Sequence, residues 1–169
     1  MEISRLSNES IENENVEKDQ FAIDLLTGFS STPKRLSAKY FYDDKGSELF
    51  QKITQHEDYY PTRTEFQILD KIKHEIPKRI KTEEIDIIEL GAGDGHKSKL
   101  VIQGFLDSGT KVNYYPIDIS EKAMHLLAEN LQASDNLKIH GVVGEYFEGL
   151  KFVRNYSKNP QLVLFLGSN

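Results

Sequence analysis

The chain has 169 residues, 38% of them apolar, which is enough for one domain with a real core. Its formal net charge of -6 works against docking on nucleic acid or on an anionic membrane face, because both draw on a surplus of Lys and Arg. The absence of cysteine excludes disulfides and thiolate metal sites and makes a reducing cytoplasm the default compartment.

Residues 1–20, MEISRLSNESIENENVEKDQ, are polar and rich in Glu and Asn. They bury too little to offset ordering and read as a loose leader. They also lack the apolar stretch behind basic residues that marks a signal peptide. No apolar run in the chain is long enough to span a bilayer. Residues 21–82 read as an all-helical region. Helical periodicity begins at Phe21, Leu25 and Leu26 and closes at Gly28. Ser47 is placed to cap a helix through Leu49, Phe50 and Ile53. Thr62 or Thr64 is placed to open a longer one with Phe66, Leu69, Ile72 and Ile76 on one face, ending at Pro77.

From residue 83 to 169 the pattern changes to strands alternating with helices. Ile85–Leu90 (IDIIEL) is a short apolar run ending at Gly91, which predicts a buried parallel strand. Lys97–Leu106 reads as a helix, Val112–Ile117 as a strand, Glu121–Leu131 as a helix, Leu137–Val143 as a strand and Phe147–Tyr156 as a weak helix. Leu162–Leu166 (LVLFL) reads as a fourth strand. This alternation predicts a doubly wound, Rossmann-like α/β sheet of about four parallel strands after the helical region. An apolar fourth strand at the sheet edge would be open to pairing with another chain.

The segment ELGAGDG falls where the first of these strands becomes a helix. Gly91 permits a sharp turn, Gly93 lets a ligand approach the backbone, and Gly95 allows close packing or a positive φ. The N–H groups at the start of the following helix favour an anionic group such as a carboxylate. An ordinary glycine turn is the alternative. The spacing is G-x-G-x-G rather than the G-x-G-x-x-G of dinucleotide enzymes, which weighs against a nicotinamide oxidoreductase. Asp118 ends the second strand, 25 residues beyond Gly93. An acidic residue there suits a ribose diol, or else it shares with Ser120 the capping of the next helix. After the third strand come Gly144, Glu145, Tyr146 and Phe147, at the strand ends where such sheets bind ligands. Glu145 could meet an adenine amino group, Tyr146 could flank the base or pack inward, and Phe147 reads as core.

Several strings together resemble the histidine-specific, S-adenosylmethionine-dependent methyltransferase family. They are TPKRLSAKYFYDDKGSELFQKIT, EDYYPTRTE, IELGAGDGHKS, YPIDIS, GVVGEYFEGL and LFLGSN. That family includes the ergothioneine-pathway enzyme that trimethylates the α-amine of histidine. The resemblance implies a class I methyltransferase sheet, S-adenosylmethionine as cofactor and a small amino acid as substrate. It implies that Gly91 and Lys97 meet the cofactor and that Asp118 takes its ribose. Glu145 and Tyr146 match the adenine-side pair, where Asp-Phe is more usual. Tyr59 matches a tyrosine of the histidine pocket and Tyr42 a second aromatic near the reacting amine. It also implies that the family's chains continue past FLGSN, so this chain would bind cofactor with little turnover. On the residues alone, the tyrosines could be an aromatic cover for the sheet edge, and Lys97 a solvated helix residue.

Other chemistry is not spelled out. The five histidines show no metal-binding spacing, so no metal is expected. Ser98 and Ser168 belong to no nucleophile motif. Arg63 and Glu65, two apart on a helix, do not share a face and are given no chemical role. No residue stands out as a general base. A non-catalytic module pairing through its open sheet edge is the competing expectation.

Overall fold

The structure is a computed structural model and describes residues 1–6, 14–41 and 44–167. The elements in chain order are β1 (Glu2–Arg5), α1 (Glu14–Ser30), a 3-10 turn (Ala38–Phe41), α2 (Asp44–Thr54), α3 (Tyr60–Ile72) and α4 (Glu75–Arg79). They continue with β2 (Glu84–Leu90), α5 (Ser98–Asp107), β3 (Lys111–Asp118), α6 (Glu121–Asn130), β4 (Leu137–Val143), α7 (Tyr146–Tyr156) and β5 (Gln161–Leu164). The chain divides into two compact units, one of Met1–Leu6 with Lys52–Asn169 and one of Ser7–Gln51.

The larger unit is built on one parallel sheet in the order β1-β4-β3-β2-β5. The chain steps outward from β2 to β3 to β4, then returns to lay β5 on the other side of β2. Right-handed crossovers therefore place α5 and α6 on one face and α7 on the other. Strand alternation follows the same division. Ile85, Ile87, Val112 and Tyr114 pack with Val101, Ile102, Phe105, Met124 and Leu127 of α5 and α6. Ile88, Tyr115, Ile117 and Val142 pack with Val153 of α7. Each such apolar side chain contributes roughly 1.5–3 kcal/mol when fully buried. The direction of strand addition reverses between β2 and β5, the kind of switch point beside which open α/β sheets bind ligands, and ELGAGDG and Asp118 lie next to it, at the carboxyl ends of β2 and β3.

Several boundaries differ from the sequence reading. The stretch read as a loose leader supplies β1, which pairs with β4 from Glu2↔His140 to Arg5↔Val143, and Leu6 N–H continues the ladder to the Val143 carbonyl at 2.9 Å. Four residues are too few to show a period, but an open β4 edge offers them a full set of backbone partners. The sheet has five strands rather than four for the same reason. Helix α1 runs on to Ser30, past Gly28, and α2 starts at Asp44, so Ser47 falls inside it. Neither Thr62 nor Thr64 caps α3. Tyr59 holds the cap position without a side-chain bond and Pro61 occupies the first turn, where its missing N–H is no loss. Pro77 lies buried within α4, so the helical break comes earlier, between Ile72 and Glu75. Helices α3 and α4 belong to the same unit as the sheet.

In the smaller unit, the Tyr40 hydroxyl donates to Asp24 at 2.6 Å and its ring meets Phe21 edge-on at 4.6 Å. No helix among the described residues is long and apolar enough to cross a membrane.

Candidate functional site

The glycine turn between β2 and α5 takes the conformation its sequence predicts. Gly91, Gly93 and Gly95 have φ of 68°, 55° and 71°, a region that a side chain with a Cβ adopts only at a cost. Gly95 also needs its small size, since an added Cβ would lie 2.9 Å from Leu127 Cγ on α6. Gly93 differs. An added Cβ there would meet nothing within 4 Å, so open space lies over this part of the turn. The Gly91 N–H donates to the Ile117 carbonyl at 2.9 Å, which sews the turn to the end of β3.

Asp118 is joined to that turn. Its Oδ2 accepts the Gly93 N–H at 3.1 Å and its Oδ1 accepts the Ser120 N–H at 2.9 Å. Ser120 in turn caps α6 by accepting from Ala123 N–H at 3.2 Å. Capping therefore falls to Ser120, and the Asp118 side chain joins the glycine turn instead. Burial pushes the Asp118 carboxyl up, opposed by the backbone N–H groups of Ser120, Gly93 and Ile119. Carboxylate oxygens each accept more than one hydrogen bond, so the two Asp118 oxygens that hold the Gly93 and Ser120 N–H groups can also take hydroxyls. A vicinal diol matches that arrangement, and the open space over Gly93 matches the rest of a nucleoside. The residues present therefore fit an adenosyl cofactor.

The β4–α7 corner sits beside Asp118. Val143 pairs with Asp118 across the sheet and Gly144 N–H donates to the Asp118 carbonyl at 3.0 Å. Glu145 follows, exposed, at the cap position of α7 with no side-chain capping bond. Tyr146 is half-buried, its ring edge-on to Phe165 at 6.2 Å. Phe147, read as core, is instead 79% exposed. Inward positions on this first turn of α7 go to Tyr146, Gly149 and Leu150.

Lys97 precedes α5 and is paired with Glu65 of α3 at 2.8 Å. Tyr59 is half-buried before α3, and its carbonyl accepts from Arg63 Nη1 at 3.2 Å. The same guanidinium takes the carbonyls of His56 and Glu57. Arg63 thereby fixes the loop that carries Tyr59. The structure brings Gly91, Gly93, Asp118 and the Glu145–Tyr146 corner together at the strand ends and joins Lys97 to α3. Tyr42 and Ser168 lie outside the described residues.

Two buried groups, Glu89 and Tyr114, were not singled out in the sequence, and Ser98 was named only as lacking a nucleophile motif. Glu89, Ser98 and Tyr114 form a closed polar cluster under the glycine turn. Glu89 Oε2 accepts from both hydroxyls, and the Tyr114 hydroxyl lies 3.0 Å from Ser98 Oγ. Burial raises the Glu89 carboxyl to about 7 against the pull of Ser98, Tyr114 and Lys97. The Tyr114 hydroxyl is likewise pushed well above its ordinary value by burial and by Glu89. The signal was present in IDIIEL, where Glu89 shares the inward face of Ile85 and Ile87. A charge in that register must find partners on the helix above. No group of three His, Asp or Glu side chains among the described residues is arranged to hold a metal ion.

Comparison with known proteins identifies a family for the chain. The family described as histidine-specific, SAM-dependent methyltransferases matches residues 21–169. The histidine N-alpha-methyltransferase of Mycobacterium tuberculosis is 32% identical over 146 residues, 86% of this chain and 44% of that protein. Ergothioneine biosynthesis protein 1 of Neurospora crassa is 32% identical over 140 residues, 81% of this chain and 16% of that protein. The 4-dimethylallyltryptophan N-methyltransferase easF of Claviceps purpurea is 25% identical over 155 residues, 89% of this chain and 45% of that protein. The chain thus spans less than half the length of these relatives.

Proposed function

We propose, from the premise that this chain belongs to the histidine-specific, S-adenosylmethionine-dependent methyltransferase family, that it binds this cofactor for N-methylation of a small amino acid, the α-amine of histidine. S-adenosylmethionine is the family's cofactor. The observation that carries the reading is the junction of Asp118 with Gly93, which aims a carboxylate at the space over the glycine turn.

When bound, the cofactor supplies an electrophilic methyl group on a sulfonium, so the protein's task is alignment and exclusion of water. In this reading Asp118 accepts from both ribose hydroxyls, and Glu145 accepts from the adenine amino group while Tyr146 flanks the base. Gly91 and Gly93 let the nucleoside meet the backbone. Lys97 and the first N–H groups of α5 take the cofactor's carboxylate. Tyr59, held before α3 by Arg63, lines the amino-acid side. Asp is more usual in the family where this chain has Glu145, which keeps the charge on a side chain one methylene longer.

Histidine is favoured as substrate because the relatives named for it are 32% identical, against 25% for those named for dimethylallyltryptophan. Incubation with S-adenosylmethionine and either histidine or tryptophan derivatives, read by mass spectrometry, tests this. N-methylated histidine at low turnover is the expected product, and methylation of the tryptophan series alone would refute the substrate. A second reading, a non-catalytic module that joins a partner at β5, draws on the edge position of that strand and the exposed Val163 and Phe165. A light-scattering mass that stays monomeric at high concentration would count against it.

A further inference from the structure

Glu65 has both carboxylate oxygens committed to other segments. Oε2 accepts from Lys97 Nζ at 2.8 Å, and Oε1 accepts the Gly167 N–H at 2.7 Å. Gly167 has φ of 92°, and an added Cβ would lie 2.4 Å from Lys97 Nζ. Helix α3, the residue before α5 and the turn after β5 therefore close around one ammonium group. The two charged side chains are 25% and 28% exposed. Pairs with that much access to water contribute little to folding, so stability alone is a weak reason for three segments to converge here.

An ammonium has three donors, and Glu65 takes one of them, which fixes the direction of the rest. We propose that Glu65 is a positioning residue, which holds Lys97 at the start of α5 in the orientation that receives the α-carboxylate of the cofactor and, through Gly167, ties that charge to the end of β5. The inference rests on the reading above that Lys97 meets the cofactor's amino-acid tail. Nearby charge is consistent with it. Lys97 also pulls on the buried Glu89 carboxyl while Glu65 holds one of its donors, and a fixed geometry is needed for a further carboxylate to enter.

The test compares two ligands that share a nucleoside. S-adenosylhomocysteine carries the amino-acid tail and 5′-methylthioadenosine does not. Glu65→Gln keeps an acceptor for Gly167 and removes the charge. Its affinity for S-adenosylhomocysteine is expected to fall about tenfold, with methylthioadenosine unchanged within about twofold. Lys97→Met should show the same selective loss, and the double variant should lose no more than Lys97→Met alone. The ratio of affinities is taken within each variant, so a lowered folded fraction scales both ligands alike. Wild-type affinity for S-adenosylhomocysteine in Glu65→Gln, or an equal loss for both ligands, overturns the positioning role. A wild-type protein that binds neither ligand overturns the cofactor reading and this inference with it.

Discussion

Glu89→Gln should change how stability depends on pH more than it changes any contact. The carboxyl is 2% exposed and accepts hydrogen bonds from Ser98 and Tyr114. In the folded chain it titrates at about 7, against 4.5 when solvated. Below pH 4.5 it is protonated in both states and costs nothing. As pH rises from there, the unfolded chain releases the proton while the folded chain keeps it, so stability falls until about pH 7 and is level beyond. At 1.36 kcal/mol per unit, the raised value corresponds to about 3 kcal/mol. The amide of Gln keeps an acceptor for the two hydroxyls and does not titrate. Any fixed cost of fitting it is the same at every pH and drops out. Urea unfolding of both proteins at about pH 4.5 and about pH 8 gives the quantity directly. The stability of Glu89→Gln relative to wild type should rise by about 3 kcal/mol between them. Parallel profiles would refute a buried, proton-holding Glu89.

Two further substitutions separate fold from site. Gly95→Ala sets a Cβ 2.9 Å from Leu127 Cγ at a φ of 71°, and chemical denaturation should show a loss of about 2–4 kcal/mol; an unchanged midpoint would mean that the turn and α6 are not packed as described. Asp118→Asn keeps an acceptor for one backbone N–H but ends the charged acceptance of two hydroxyls. Calorimetry should show adenosyl ligand binding weakened on the order of tenfold to a hundredfold, and equal affinity would remove Asp118 from the ribose.

Much of the sheet was legible because its signals are local. IDIIEL, VNYYPI and LKIHGVV are short apolar runs, and Gly91, Gly93 and Gly95 fall where a strand must turn into a helix. Asp118 could be placed because its distance from Gly93 along the chain matches one βαβ step. What was not legible depends on contacts with no local pattern. Strand β1 exists because β4 has an edge to offer. Glu65 and Lys97 are 32 residues apart, and only the packing of α3 beside α5 brings them together. Glu89 was visible as a charge in an apolar run, but its partners Ser98 and Tyr114 come from two other elements. Phe147 misled because the inward positions of α7 go to Tyr146 and Leu150, which leaves its ring facing out.

Isothermal titration of the purified protein with S-adenosylhomocysteine tests the cofactor site most directly. Saturable binding at a single site is expected, with no comparable binding of NADH. A folded sample that gives neither heat nor a thermal shift with S-adenosylhomocysteine would contradict the account.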